Sequence, residues 1–435
     1  MGYSEQAIDY VKEFLKSADA YSPLGTRVYK ESVGKDRDRN PFHRDYARII
    51  YSPSFRRLQG KMQLLGVKSD QFFRNRLTHS LEVSQIARTI AYGLGYTIED
   101  SYVIEACSLA HDIGNPPFGH FGEKILNEIA RDIGGFEGNA QTLRLLTKLE
   151  KKMPNIPGLN LSIRTLLGVT KYFKKNEGNN RKFIYDEDYS FLQEYIDYNN
   201  IKTRTVDVQI IDIADEIAYA AHDLEDALSM KLFTIEELIY EFELLARKDI
   251  SYEIAYKKIK SLINKSIVIA KKGDRFNSSE EYAFLFRKEL TSRIVHTLIS
   301  DVDLIEVTST MRDKTGTLLR NEIGLKELSF LAKGLKDITF RCINRTDIIQ
   351  IYEKQGEKVI KGLYNAFSNY KFNNSGALLP VEYRPIGSNC SENKRLIIDY
   401  LAGMMDYFAI STYEKLFGKS ELEKIFDSEI FKYKV

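Results

Sequence analysis

Arg76-Leu77-Thr78-His79-Ser80-Leu81-Glu82-Val83 opens a run in which His79, Val83, Ile86, Ile90 and Leu94 recur at spacings of three and four. That period puts them on one stripe of an α-helix, so the imidazole of His79 points inward with the aliphatic side chains. A second run repeats the arrangement: Val103, Cys107, Ala110 and His111 share a face, Asp112 follows, and Gly114 is placed to end the helix. The same spacing pervades the chain, whereas period-2 runs between turn residues are scarce. The expected fold is therefore all-α, with an N-terminal helical extension over 1–40, a helical core over 41–230 and a C-terminal helical region over 231–435. Breaks are expected at Ser22 to Gly25, Gly114 to Gly122, Met153 to Gly158, Asn176 to Asn180, Lys272 to Asp274 and Asn373 to Pro385. No internal repeat or low-complexity tract interrupts this pattern.

Composition narrows the class. The chain has 435 residues, 43% hydrophobic and 29% charged, with 9 Pro and 26 Gly, which excludes collagen-like, disulfide-scaffold and mainly disordered proteins. Lys plus Arg number 63 against 61 Asp plus Glu, so a net charge of +2 provides no global attraction to nucleic acid or membrane. Cys107, Cys342 and Cys390 fit neither a disulfide framework nor a cysteine zinc site. The N-terminus has no apolar signal core, and no apolar run approaches the ~18 residues of a membrane span. A cytoplasmic protein without membrane association is expected.

The chain has six histidines, and their placement is informative. One histidine on an apolar face is ordinarily a hydrogen-bonded core residue. An inward His79 on one helix and the His111-Asp112 pair at the end of the next together offer neutral nitrogens and an anionic oxygen, a set suited to a divalent metal of the Mg, Mn, Fe and Zn range. A further ligand can be sought between Val206 and Asp226. There Ile210, Ala214, Ile217, Ala221, Leu224 and Leu228 make an apolar stripe, and Asp215, Tyr219 and Asp223 follow one another at i+4 on another face. By itself such a face is usually a solvated one.

After Asp112 comes Ile113-Gly114-Asn115-Pro116-Pro117-Phe118-Gly119-His120-Phe121-Gly122-Glu123, a tight loop in which His120 and Glu123 are spaced to pair, the carboxylate orienting the imidazole for proton transfer. Basic residues cluster twice. Arg44, Arg48, Arg56, Arg57, Lys61, Arg74 and Arg76 precede the first patterned histidine, and Lys171, Tyr172, Lys174, Lys175, Arg181 and Lys182 mix cations with an aromatic ring. Beside a metal site such groups suit a polyphosphate.

One His, then a His-Asp pair, then a distant Asp resembles the HD phosphohydrolase superfamily. The strings Phe55-Arg56-Arg57-Leu58-Gln59, Arg76 to Val83, His111 to Glu123 and Ala214 to Tyr219 resemble, more narrowly, the bacterial deoxyguanosine triphosphate triphosphohydrolases. Gly138 to Gln141, Glu353 to Gly356 and Asp399 to Met404 extend the similarity across roughly residues 40 to 415. The resemblance implies an HD-domain helical core with an additional C-terminal helical region.

It also implies that His79, His111, Asp112 and Asp215 hold one divalent ion, Mg or Mn first, with Fe, Co, Ni and Zn as further candidates. The implied reaction cleaves dGTP between the 5′-oxygen and the α-phosphorus, releasing deoxyguanosine and tripolyphosphate. His120, oriented by Glu123, is implied as the acid at the 5′-oxygen, with a nucleophilic role as the alternative. Arg76, Lys171, Tyr172 and Lys182 are implied triphosphate contacts, Gln63 and Asp223 contacts to the 3′-hydroxyl, Tyr219 a block against the 2′-carbon and Glu353 a contact to guanine. Many broader-specificity relatives carry His where this chain has Asn115, which removes one candidate acid and puts the weight on His120. A homo-oligomer, with a hexamer as the implied form, and single-stranded DNA as an added ligand also come with the resemblance. The competing expectations are a broader dNTP triphosphohydrolase, another HD nucleotide phosphohydrolase, and a nucleic-acid-binding or nucleotide-sensing protein acting through the basic clusters.

Overall fold

The computed structural model describes residues 2–31, 40–63, 74–178, 181–273, 275, 277–344, 347–385 and 389–418. The parts of the expected breaks at Asn179-Asn180 and Asp274 lie outside them. The described chain is predominantly α-helical, as its periodicity predicts.

Four helices build the centre: Pro41–Ile50, Arg76–Gly93, Ile98–Ala110 and Val206–Ala218. The Arg76–Gly93 helix starts where it does because Asn75 accepts from the Thr78 N–H while the Thr78 hydroxyl accepts from the Asn75 N–H, a reciprocal cap that satisfies two otherwise orphaned donors. Its apolar stripe, Val83, Ile86 and Ile90, is fully buried against Val103, Ile104 and Cys107 of the next helix and Ile210, Ala214 and Ile217 of the fourth. Each such aliphatic side chain contributes about 1.5–3 kcal/mol on burial.

The Ile98–Ala110 helix ends sooner than Gly114, with His111 as its C-cap and a turn over His111 to Gly114. Gly114 is required for a different reason than capping. A Cβ there would come within 2.2 Å of the Gly138 carbonyl oxygen and the Thr142 nitrogen, so only glycine lets the turn lie against the Gly138–Arg144 helix.

Two small antiparallel hairpins interrupt the helices. One pairs Lys151–Met153 with Ile156–Pro157 at an expected break. The other, Val302–Glu306 with Asn321–Leu325, is absent from the sequence reading, because a short apolar run does not declare its period. It is anchored on the Val206–Ala218 helix by an Ile323 N–H to Gln209 Oε1 bond of 2.8 Å and through buried Glu322, which accepts from Arg204 at 2.9 Å. The helix Ser309–Thr315 between its strands thereby reaches the Tyr172 segment, where the Phe173 N–H donates to the Thr315 carbonyl at 3.3 Å.

Two apolar cores result. The larger runs from Tyr3 through the central helices to Ile349. The smaller joins the Gly119–Ile129 helix to three C-terminal helices, Asp347–Ser368, Cys390–Ala402 and Asp406–Phe417. Among the described residues no helix is long and apolar enough to cross a membrane.

A buried guanidinium locks the N-terminal part of the larger core. Fully buried Arg164 donates from Nε and Nη2 to the two oxygens of Asp207, each at 2.9 Å, and from Nη1 to Asp100 and the Ala18 carbonyl, each at 2.7 Å. Phe42 lies under it at 5.0 Å. Removing one partner of such a pair strands a buried charge, so Arg164→Met is expected to lower stability by about 3–5 kcal/mol, and Arg164→Leu combined with Asp207→Leu to recover most of the loss. Urea unfolding midpoints check both.

Candidate active site

The centre of the site is set by where three helices cross. His79 enters from the first turn of Arg76–Gly93 and is fully buried, with Nε2 3.1 Å from Asp215 Oδ1. His111 sits at the C-cap of Ile98–Ala110, where its Nδ1–H donates to the Ser108 carbonyl at 2.6 Å. That bond fixes the tautomer and turns Nε2 toward Asp215 Oδ1 at 3.5 Å and Asp112 Oδ1 at 3.6 Å. Buried His111 Nε2 has no hydrogen-bond partner among the described residues. One ligand atom from each of His79, His111 and Asp215 lies within 4.8 Å of the others. Two nitrogens and a carboxylate facing one point, one nitrogen orphaned, fit a divalent cation. Asp112 stands beside the group, its Oδ2 accepting from Arg76 Nη1.

The electrostatics carry the imprint of a cation site. Burial opposes charge on His111, but Asp112 and Asp215 outweigh it and push its pKa up to about 9. Burial likewise opposes ionisation of Asp215, yet Lys171 and the two histidines hold it well below the usual carboxylate range. Burial keeps His79 below its ordinary value.

A cleft of about 470 Å³ opens from this centre. Asp112, His111 and Asp215 line it with Arg76, Asn115, His120, Lys171, Tyr172, Lys182 and Tyr219, and Gln63, Asp223 and Glu353 line it further out. His79 and Glu123 stand behind the wall and reach it through Asp215 and His120. Asp215, Tyr219 and Asp223 all face the cleft although a π-helical turn, Tyr219–Asp223, replaces the regular helix there. Such wide turns are frequent at functional sites.

Comparison with known proteins gives the family. The HD domain matches residues 76–220, and a phosphohydrolase-associated domain matches residues 326–415. A "deoxyguanosinetriphosphate triphosphohydrolase-like protein 2" of Vibrio cholerae is 47% identical over 98% of this chain and 99% of its own length. Similarly named proteins of Shewanella sediminis and Shewanella woodyi are 32% and 34% identical over 90% and 91% of this chain and 95% and 96% of theirs. The chain belongs to the HD-domain, dGTP-triphosphohydrolase-like family. It is thus an HD-domain phosphohydrolase, and an HD domain implies divalent metal binding.

The cations of this HD cleft are not idle. Lys171 Nζ lies 2.5 Å from Asp212 and 3.3 Å from Asp215, and Lys182 Nζ lies 2.6 Å from Glu137 and 3.2 Å from Glu123. In the first basic cluster several arginines are engaged in ion pairs and carbonyl bonds. Arg48 is bound to Glu31 at 2.7 Å and to the Leu159 and Asn160 carbonyls, Arg44 also meets Glu31, and Arg74 is held by Glu82 and Asp226. Carboxylates and carbonyls have taken those charges, and of that cluster Arg76 lines the cleft.

Sequence reasoning missed Asp212, Lys314, Lys336, Thr339 and Phe340, which also line it. Asp212 was within reach, one turn before Asp215 on the same helix. Lys336, Thr339 and Phe340 come from the Ser329–Asn344 helix, whose ordinary amphipathic pattern carries no distinguishing signal.

A histidine binds metal only as the neutral base, so ion binding must expel the proton that Asp112 and Asp215 stabilise on His111. Manganese titration calorimetry at pH 7 in buffers of different ionisation enthalpy is expected to report about one proton released per ion. Apparent affinity should rise with pH until about 9, the pKa of His111, and His111→Ala should abolish the release.

Proposed function

We propose that this protein hydrolyses dGTP to deoxyguanosine and tripolyphosphate in the cleft. The observation that carries the reading is a single cavity lined by a group suited to a cation, by Arg76, Lys171 and Lys182, and by unpartnered polar groups that suit a sugar. These three cations lining one cleft offer more phosphate donors than a nucleoside monophosphate needs and suit a triphosphate. The dGTP-triphosphohydrolase-like names of the relatives support the same substrate.

In this reading His79, His111, Asp112 and Asp215 hold one divalent ion, magnesium or manganese. When bound, that ion supplies Lewis-acid polarisation of the α-phosphate and lowers the pKa of a water. The chain's own residues do the rest. Arg76, Lys171, Tyr172 and Lys182 hold the triphosphate, exchanging carboxylate partners for phosphate oxygens. His120 has Nδ1 3.0 Å from Glu123 Oε2, and Glu123 is itself fixed by the Gly138 N–H and by Lys182, both at 3.2 Å. Burial opposes the Glu123 charge, but His120 and Lys182 pull its pKa down to about 2, so the carboxylate persists to orient the imidazole. With Nδ1 committed, Nε2 delivers a proton to the departing 5′-oxygen.

The sugar end follows from unmet hydrogen bonds. Among the described residues both amide atoms of buried Gln63 and Oδ1 of buried Asp223 have no partner. A 3′-hydroxyl, donor and acceptor at once, satisfies both residues. Tyr219 is held with its ring 4.8 Å from the His79 ring and the Lys336 ammonium 4.7 Å from its centre, so it cannot retreat from the 2′-carbon. A ribose hydroxyl pressed there is left crowded and unpaired. Glu353, half-buried at the outer end, accepts from the N1–H and 2-amino group of guanine.

Incubation with dGTP and magnesium or manganese, resolved by anion exchange, is expected to yield deoxyguanosine and tripolyphosphate together, whereas phosphate or pyrophosphate release would overturn the assignment. His120→Gln should lower kcat roughly 10²–10⁴-fold. Tyr219→Ala should erode the preference for dGTP over GTP by about 10–100-fold, read from the kcat/KM ratio.

A further inference from the structure

The residue that launches the helix carrying His120 is in an unfavourable conformation. Phe118 caps the Gly119–Ile129 helix with φ 62° and ψ 24°, a left-handed geometry that costs a residue with a side chain of order 1–3 kcal/mol. It has no side-chain capping bond of its own. What holds it comes from almost three hundred residues downstream.

Asp406, in the first turn of the Asp406–Phe417 helix, is 2% exposed. Its Oδ1 accepts from the Phe118 N–H at 3.1 Å, and its Oδ2 accepts from the Met62 N–H at 2.9 Å and the Tyr352 hydroxyl at 3.2 Å. Three donors thus converge on one carboxylate. The Phe118 ring is gripped by the same C-terminal region. Its centroid is 5.4 Å from that of Tyr352, and it packs so closely on Gly356 that an added Cβ would lie 2.6 Å from Phe118 Cγ. Buried Lys61 completes the clamp, donating to the Asn115 carbonyl of the same loop and to the Ala402 carbonyl at 2.8 Å.

We infer that Asp406 is a positioning residue for the reaction: by holding the Phe118 N–H it fixes the left-handed turn from which His120 is presented to the cleft. The inference rests on the reading of His120 as proton donor and deepens it, because it gives the C-terminal region a part in placing that proton. Asparagine is nearly isosteric with Asp406 but turns an NH2 toward one of the three donors, so at least one of these bonds is lost. A displacement of about 1 Å at a reacting group can cost as much as 10²-fold in rate.

The test is a double-mutant cycle. Asp406→Asn is expected to lower kcat for dGTP by about 10–100-fold with KM little changed, while manganese binding by calorimetry stays as in the wild type. If Asp406 acts through His120, the Asp406→Asn/His120→Gln protein is no slower than His120→Gln alone. Asp406→Ala, which removes both oxygens, should show the same non-additivity, and Gly356→Ala, which displaces the Phe118 ring, tests whether the Phe118 turn places His120 if neither Asp406 variant folds. Multiplied losses in the double variants, or a wild-type kcat for Asp406→Ala, would overturn the inference alone. A wild-type kcat for His120→Gln would overturn the reading of His120 and this inference with it.

Discussion

The interior is organised around the carboxylate of Asp215. Its Oδ1 lies 3.1 Å from His79 Nε2 and 3.5 Å from His111 Nε2, and its Oδ2 lies 3.3 Å from Lys171 Nζ. A carboxylate this deeply buried is tolerated only where positive or proton-bearing groups surround it. The Arg76–Gly93 helix, the end of the Ile98–Ala110 helix and the Lys171 segment each bring one such group to that point. The apolar stripes of the same helices hold the crossing together, so packing and electrostatics specify one geometry.

Around that point the charges come in buried and half-buried pairs: Arg76 with Asp112, Lys171 with Asp212 and Asp215, Lys182 with Glu123 and Glu137. Desolvation offsets much of the attraction in such pairs, so they are a weak source of stability beside an aliphatic core. Their consequence is chemical. Cations that would repel one another are kept along one cleft by carboxylates that also border the metal-binding group or His120. Lys61 is the contrasting case, a lysine so buried that desolvation pulls its pKa down to about 7, and its ammonium bonds backbone carbonyls instead of lining the cleft.

Much of this was legible in one dimension because two periodicities coincide. The three-four spacing that puts Val83, Ile86 and Ile90 inward also carries His79 inward, and the spacing that buries Val103 and Cys107 brings His111 to the helix end. The His120-Glu123 pairing was readable from its spacing, but the loop expected to carry it ends at Phe118: both residues lie in the first turns of the Gly119–Ile129 helix, where residues three apart are neighbours, and the two atoms meet at 3.0 Å. Where the reading failed, local pattern and tertiary need had parted. Gly114 looks like a helix stop but is demanded by the close passage of Gly138 and Thr142. Arg44 and Arg48 stand in a basic cluster whose partners the sequence does not show: both meet Glu31, and Arg48 also bonds loop carbonyls more than a hundred residues away.

The helical class, the inward histidines, the His-Asp pair and the stripe of Asp215, Tyr219 and Asp223 are properties of short segments, and helix geometry alone is enough to derive them. The cleft is a different kind of property. Its lining by Lys314, Lys336, Thr339 and Glu353 beside His111 and Asp215, and the grip of Asp406 on Phe118, join segments separated by close to a hundred residues or more. No periodicity relates such segments, because what brings them together is the burial of two apolar cores, and that is settled only when the whole chain packs.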